Sequence, residues 1–340
     1  MALSPNYSWA EPDNSSLVKN GAQDIRTLGD AIDTSVWNVG YGQAGKNKII
    51  NGDFAINQRN FTTTGGGYGF DRWALSTSGG TATFTPQTFT LGTAPVAGYE
   101  SKNFSRIATT VGNDLCRLEQ KIESVRTFAG QTATISFWAK GTNPTTAGNL
   151  AITLQQFFGT GGSPSSSINL TQQTFVLTAN WTRYTFTFAV PSISGKTLGT
   201  NNDDYLGVWI GQGTSVSADA WTLDIWGVQA EYGSKATPFQ TATGTIQGEL
   251  AACQRYFFSG KTRWQGYNSS STTGERLTVS LPVSQRTNTQ TITLSGTSLT
   301  GYSGITAEAY DFQSIVLLPA PNATGDNQFW ITSYTTSAEL

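Results

Sequence analysis

Residues 181–190, WTRYTFTFAV, alternate without interruption: Tyr184, Phe186, Phe188 and Val190 fall on one side, Arg183, Thr185 and Thr187 on the other. A period of two puts every second side chain on one face of an extended chain, and no helix satisfies it. The pattern recurs. In 131–140, Ala133, Ile135, Phe137 and Ala139 share a face, and in 220–228 Trp221, Leu223 and Ile225 alternate with Thr222, Asp224 and Trp226. Alternation with one polar side marks antiparallel sheets solvated on one face. Gly, Pro and Asn clusters break these strands at short intervals, which implies a sandwich or jelly roll.

Composition narrows the function classes. Only 12% of the 340 residues are charged, against roughly 25% in an average soluble protein. The polar surface therefore rests on Thr, Ser, Asn, Gln and Gly, which suit strands and tight turns. A net charge of −2 gives no footprint for nucleic acid or an anionic membrane. Histidine is absent. That excludes Ser-His-Asp and Cys-His catalysis and His-based zinc sites. Cys116 and Cys253 are far apart and are expected as buried free thiols. The first fourteen residues have neither the basic start nor the apolar run of a secretory leader, so synthesis in a cytoplasm is expected.

Three units are expected: 1–45, 46–242 and 243–340. In the first, an extended arm carrying Tyr7, Trp9 and Pro12 precedes a helix over 16–34. Val18, Ile25 and Ile32 repeat every seven residues with Leu28 between them. This seam suits either self-association or packing on the following domain. Residues 36–46 are Gly-rich and expected as a linker. The second unit opens with NGDFAINQR (51–59) and contains the strands above. The third begins with a short helix over 246–255, with Ile246, Leu250 and Cys253 on one face, and continues through strands near 275–283, 289–294, 313–319 and 328–336.

Four phrases are familiar. YSWAEPDNSSLVKNGAQDIRTLGDAID at the start, FFGTGGSPSS (157–166), NWTRYTFTFAVPSISGKTLGTNNDDYL (180–206) and WGVQAEYGSKATPF (226–239), followed by ELAACQRYFF, occur in this order. Together they resemble bacteriophage tail-fibre and tail-appendage proteins whose middle domain is similar to carbohydrate-binding jelly rolls. The resemblance implies an all-β, antiparallel protein: a jelly-roll or β-sandwich middle domain, a smaller distal β-sandwich, and before them an extended arm and short helix. It also implies a non-enzymatic virion component, trimeric, docked through Tyr7, Trp9 and Pro12 to other tail or neck proteins. The β domains would bind a host-surface glycan or receptor. A capsule-degrading glycosidase or esterase, and a neck or head decoration without a receptor, are the alternatives.

Three constellations bear on chemistry. Asp203, Asp204, Asp224 and Glu231 are enough carboxylates for glycoside hydrolysis, yet the NNDD stretch reads as a turn whose side chains cap their own backbone. No solenoid repeat of the kind expected in a depolymerase is present. Asn51, Asp53 and Asp224 match positions where related jelly rolls hold Ca²⁺, but Ala55 stands where an acidic ligand is expected, so no cofactor is expected. Among aromatics, Trp73, Trp138, Trp181, Trp221 and Trp226 read as core. Trp264 and Tyr267 border the polar loop 267–273, and Trp330 and Tyr334 share a strand face by even spacing, so these four are the candidate glycan contacts.

Overall fold

The computed structural model describes residues 2–4, 9–11, 17, 20–39, 45–79, 81–110, 115–144, 150–212, 220–269 and 275–340. Tyr7, Pro12 and Val18 lie outside these residues. The arm is a pair of short strands rather than an extended segment: β1 (Ala2–Leu3) pairs antiparallel with β2 (Ala10–Glu11). Trp9 is half-buried there, and its N–H donates to the Ser4 hydroxyl at 2.9 Å.

Helix α1 spans Gly21–Val39, later than the expected 16–34, and takes in the first residues of the expected linker. It packs beside β2, not on the sandwich that follows. Ile25 is 66% and Ile32 38% exposed, and Leu28 is half-buried. Of the seam residues described, Ile25 and Ile32 thus face solvent.

Twelve strands form the middle unit. They are β3 (Gly67–Tyr68), β4 (Ala74–Ser78), β5 (Ala82–Thr88), β6 (Asn103–Thr109), β7 (Leu115–Glu123) and β8 (Thr132–Thr142), followed by β9 (Leu150–Phe157), β10 (Ile168–Asn169), β11 (Gln173–Phe175), β12 (Thr182–Ala189), β13 (Tyr205–Gln212) and β14 (Thr222–Tyr232). One sheet runs β10-β9-β13-β7-β4-β3, with β11 also on β9; the other runs β12-β8-β14-β6-β5. The pairings are antiparallel. Inward residues behave as their alternation requires: Ala133, Ile135, Phe137 and Ala139 of β8 and Leu206, Val208 and Ile210 of β13 have no exposed surface.

The two sheets differ on their outer sides. The alternation of β14 predicts one solvated face, but Asp224 and Trp226 are buried as well as Leu223 and Ile225. Trp226 and Trp138 are cross-strand partners on the outer face. Tyr99, from the loop after β5, and Phe239, from the segment after β14, pack on Trp226 at 5.4 and 4.9 Å. Phe89 and Trp181 extend this second aromatic layer. The five-stranded sheet is therefore roofed, and the seven-stranded sheet keeps its outer face open around Tyr205 and Trp209, with Leu340 reaching Lys121 and Tyr68. The NGDF turn seals the edge of the roofed layer: Val228 N–H donates to Gly52 C=O at 2.9 Å, and a Cβ on Gly52 would lie 2.1 Å from Val228 O.

After β14 the chain enters α2 (Ile246–Gln254), whose first turn is capped by Thr245 accepting from Gly248 N–H. Its buried face is not the expected one. Cys253 is fully buried, but Ile246 is 52% and Leu250 36% exposed, while Glu249 is buried. The Glu249 carboxylate accepts from the N–H groups of Asn51 and Thr243 and from the Thr243 hydroxyl at 2.7–3.0 Å. Three charge-assisted hydrogen bonds outweigh the apolar stripe and rotate the helix.

The distal unit holds β15 (Phe257–Asn268), β16 (Leu277–Ser280), β17 (Thr291–Thr300), β18 (Tyr302–Ala309), β19 (Ser314–Pro321) and β20 (Gly325–Ser337). They form two three-stranded sheets, β15-β20-β17 and β16-β19-β18, around Leu281, Tyr302, Ile315, Leu317, Phe329, Ile331 and Tyr334. Strands β15 and β18 have no counterpart in the sequence expectations, because Gly and Ser interrupt their apolar pattern. The two units are joined by polar contacts, buried at Glu339 and half-exposed at Arg255. Glu339, after β20, reaches Arg72 and Arg59 of the middle unit. Arg255 and the Tyr256 hydroxyl meet Glu123 at 2.7–3.0 Å.

Candidate functional site

The open face of the seven-stranded sheet carries the most distinctive surface among the described residues. Along β13, inward Leu206, Val208 and Ile210 alternate with outward Tyr205, Gly207, Trp209 and Gly211. Tyr205 and Trp209 are each half-buried. A Cβ on Gly207 would lie 3.1 Å from Trp209 Nε1 and 3.3 Å from Tyr205 Cε2, so both rings lean over the space this glycine leaves. Neighbouring strands hold the rings from either side. Phe157 of β9 stacks on Tyr205 at 4.7 Å and 27°. On β7, Arg117 lies over the Trp209 indole at 3.5 Å and Lys121 near the Tyr205 ring at 4.9 Å.

Polar groups complete the face. Gln155 Nε2 donates to Asn169 Oδ1 at 2.9 Å. A depression of about 230 Å³ opens beside Trp209, with Arg117, Thr153, Asn169, Leu170 and Gln172 among its walls. Burial lowers the affinity of Arg117 and of Lys121 for their protons and pushes the Tyr205 phenol up. Rigid aromatic rings beside amides, hydroxyls and a cation can hold a ring-shaped ligand that is apolar on its faces and polar at its rim.

The carboxylates singled out in the sequence do not converge. Asp203 accepts from the Thr160 N–H and hydroxyl at 2.7 and 2.5 Å, and Asp204 from Val125 N–H at 2.8 Å. Asp224 forms a two-pronged ion pair with Arg106 at 2.6 and 2.7 Å. Glu231 is buried and accepts from the Thr237 N–H and hydroxyl. Each has a structural partner.

Asn51, Asp53 and Asp224 do not make a calcium site either. Asn51 spends its side chain on its own turn, donating to Ile56 O and Asp71 O and accepting from Ile56 N–H at 2.9–3.0 Å. Asp224 is neutralised by Arg106. No cluster of three or more His, Cys, Asp or Glu able to hold a metal occurs among the described residues.

Asp53 is buried, accepts from the Tyr99 hydroxyl at 2.9 Å, and leaves Oδ1 without a hydrogen-bond partner. Burial pushes its carboxyl above the ordinary aspartate range. In that window the folded state binds the proton more tightly than the unfolded chain, so stability falls as pH rises through the raised value. Asp53→Asn keeps the acceptor for Tyr99 and removes the charge. The variant is expected to melt above the parent at neutral pH and level with it at pH 3. A lower melting temperature at neutral pH would contradict this account.

The four aromatic candidates separate. Tyr267 is 68% and Trp330 52% exposed on the outer face of β15-β20-β17. Trp264 is half-buried and stacks on Phe329 at 5.9 Å and 16°. Tyr334 is a core residue, 3% exposed. Even spacing fails here because β20 is out of step with β15 near Thr332: Ile331 pairs with Thr262 and Tyr334 with Gly260, so β20 carries one extra residue. Such an irregularity flips the parity of every residue beyond it. Trp209, Tyr205, Phe157 and Arg117 were missed. The signal was present in YLGVWIGQ, where aromatics and glycines alternate opposite an aliphatic row.

No family model matches the sequence, and no curated protein matches it. Solved structures with a similar fold include a bacteriophage tailspike domain and carbohydrate-binding modules. The enzymatically active domain of tailspike protein 4 of bacteriophage CBA120 is 17% identical, over 55% of this chain and 22% of that one, with a TM-score of 0.35. A xylan-binding domain from Paenibacillus barcinonensis is 13% identical, over 57% and 99%, with a TM-score of 0.31. The amino-terminal cellulose-binding domain of a Cellulomonas fimi β-1,4-glucanase is 17% identical, over 54% and 95%, with a TM-score of 0.27. This chain thus spans about a fifth of the tailspike domain and nearly the whole of the two modules.

Proposed function

We propose that this protein is a non-enzymatic component of a bacteriophage tail that binds a glycan of the host surface on the open face of its middle sandwich. The observation that carries the binding reading is the Trp209–Tyr205–Phe157 row, left uncovered beside a polar-rimmed depression while the opposite sheet is roofed. A buried aromatic row costs nothing to explain as core; one held half-open by Gly207, with cations against its rings, is a surface built to be met. The phage assignment rests on the ordered phrases of the sequence. Trp209→Ala removes the centre of the row and leaves the inward residues of β13 in place. Binding to a panel of bacterial surface polysaccharides, measured by calorimetry, is expected to fall by about 2 kcal/mol or more, the range of a central aromatic anchor. Undiminished binding by this variant would move the site elsewhere.

Self-association through α1 belongs to the same reading. Ile25 and Ile32 are exposed at a seven-residue spacing with Leu28 between them, and a second and third copy of the helix would bury that stripe. The full chain is expected to be trimeric by light scattering and to lose that state when residues 1–39 are removed. A monomer at micromolar concentration, or a trimer that survives the deletion, overturns this part.

A further inference from the structure

Among the described residues, the buried and half-buried arginines fall into two kinds. Arg59, Arg72, Arg106, Arg183, Arg255 and Arg286 each donate at least one hydrogen bond to a carboxylate or a carbonyl. Arg117 does not. Among the described residues its contacts are the Trp209 ring at 3.5 Å and one oxygen of Glu119 at 3.8 Å, and its Nε has no hydrogen-bond partner. Its side chain is only 22% exposed, so water does not fully replace what is missing. Arg117 is also the one charged residue among the described residues lining the depression beside Trp209; the other polar walls described are Thr153, Asn169, Gln172 and Gln212.

We propose that this depression selects anionic saccharides, and that Arg117 receives a sugar carboxylate while the sugar ring packs against Trp209. The inference rests on the glycan-binding reading of this face and names its ligand class. Three features converge. A planar guanidinium presents two parallel donors to a planar carboxylate, a match that a neutral hydroxyl does not make. Stacking on the indole holds the fork in one orientation before the ligand arrives, so little side-chain entropy remains to be lost. Among the described residues the walls bring no carboxylate into the depression to repel an acid, and Glu119, at 3.8 Å from Arg117 Nε, is outside the lining and too far for a hydrogen bond. Burial already disfavours the charge of Arg117, and an incoming anion relieves that cost.

The test uses the full chain and a matched pair of probes: oligogalacturonate and the same oligosaccharide after reduction of its carboxyl groups to neutral alcohols. Calorimetry is run on the parent, Arg117→Gln, Arg117→Lys and Trp209→Ala, with melting curves for each. Tighter binding of the acid by about tenfold or more, abolished in Arg117→Gln, only partly restored in Arg117→Lys and weakened by added salt, is the expected result. Equal binding of the two probes, lost in Trp209→Ala, overturns the charge selectivity and leaves the glycan reading standing. Acid binding that persists in Arg117→Gln assigns the anion elsewhere and overturns the role of Arg117. Failure of the parent to bind either probe overturns the inference; the polysaccharide panel with Trp209→Ala then judges the glycan reading on its own.

Discussion

Replacing Glu339 with Ala is expected to destabilise the protein by about 3–5 kcal/mol, the loss that follows when one partner of a buried ion pair is removed. Glu339 lies near the end of β20, yet only 6% of its side chain is exposed. It meets Arg72, whose side chain is 1% exposed, and Arg59 at 3.0 Å. Arg72 in turn lies over the Tyr256 ring at 3.5 Å and donates to Lys121 O at 2.5 Å. Nothing else nearby carries the opposite charge at hydrogen-bond distance from Arg72, so the Ala variant leaves a guanidinium buried and uncompensated. The adjoining backbone is held as well: Arg286 Nε donates to Ala338 O at 2.8 Å and Ala338 N–H to Tyr256 O at 2.7 Å. The measurement is the urea midpoint of Glu339→Ala, compared with Glu339→Gln, which keeps the shape and one acceptor and should lose less. Because Lys121 also donates to Leu340 O at 2.7 Å and sits against Tyr205, the damage extends to the open face. A midpoint within experimental error of the parent would show that the two units are not coupled through this residue.

Trp226→Ala is the second large effect, at about 3–5 kcal/mol for a fully buried Trp cut back to a methyl group. Trp226 has no exposed surface and is ringed by Phe89, Tyr99, Trp138 and Phe239 at 4.9–6.2 Å. Losing it opens a void under the roof of the five-stranded sheet, and Tyr99 and Phe239 lose the surface they fold onto. Trp226→Phe is expected to cost less than half as much. The indole N–H has no hydrogen-bond partner, so the change removes a buried unsatisfied donor along with some volume. Thermal unfolding of the two variants side by side checks this, and equal losses would show that a phenyl ring does not fill the space under the roof and overturn the account.

Much of the scaffold was legible in the chain. Strands β8, β12 and β14 follow from their alternation, and α2 follows from Thr245 and the helical run after it, because period and capping are local properties. The NNDD stretch was read as capping its own backbone, but Asp203 and Asp204 accept from Thr160 and Val125, 43 and 79 residues away in sequence. The candidate site was not legible in the same way. Trp138, Trp209 and Trp226 all sit in well-patterned strands, and no local rule separates them. Their fates diverge because Phe239 and Tyr99 fold over Trp226 on one sheet, while the residues that reach the other sheet, Leu340 at Lys121 and Glu339 at Arg72, leave Trp209 half-buried.

The remaining differences share that cause. Tyr334 turned inward because β20 slips against β15 near Thr332, and a slip exists only between strands. The face of α2 was set by Glu249 finding the N–H groups of Asn51 and Thr243, the first nearly two hundred residues away in sequence. Asp53 and Asp224 lost their standing as metal ligands to Tyr99 and Arg106, partners contributed by distant segments. Composition and period two by themselves determined an all-β, antiparallel, histidine-free protein with two cysteines kept as buried thiols. Which of its two large sheets stays open, and therefore where a ligand can be met, was decided only by tertiary structure: exposure is a property of what packs against a residue, and the packing partners here come from segments that alternation cannot connect.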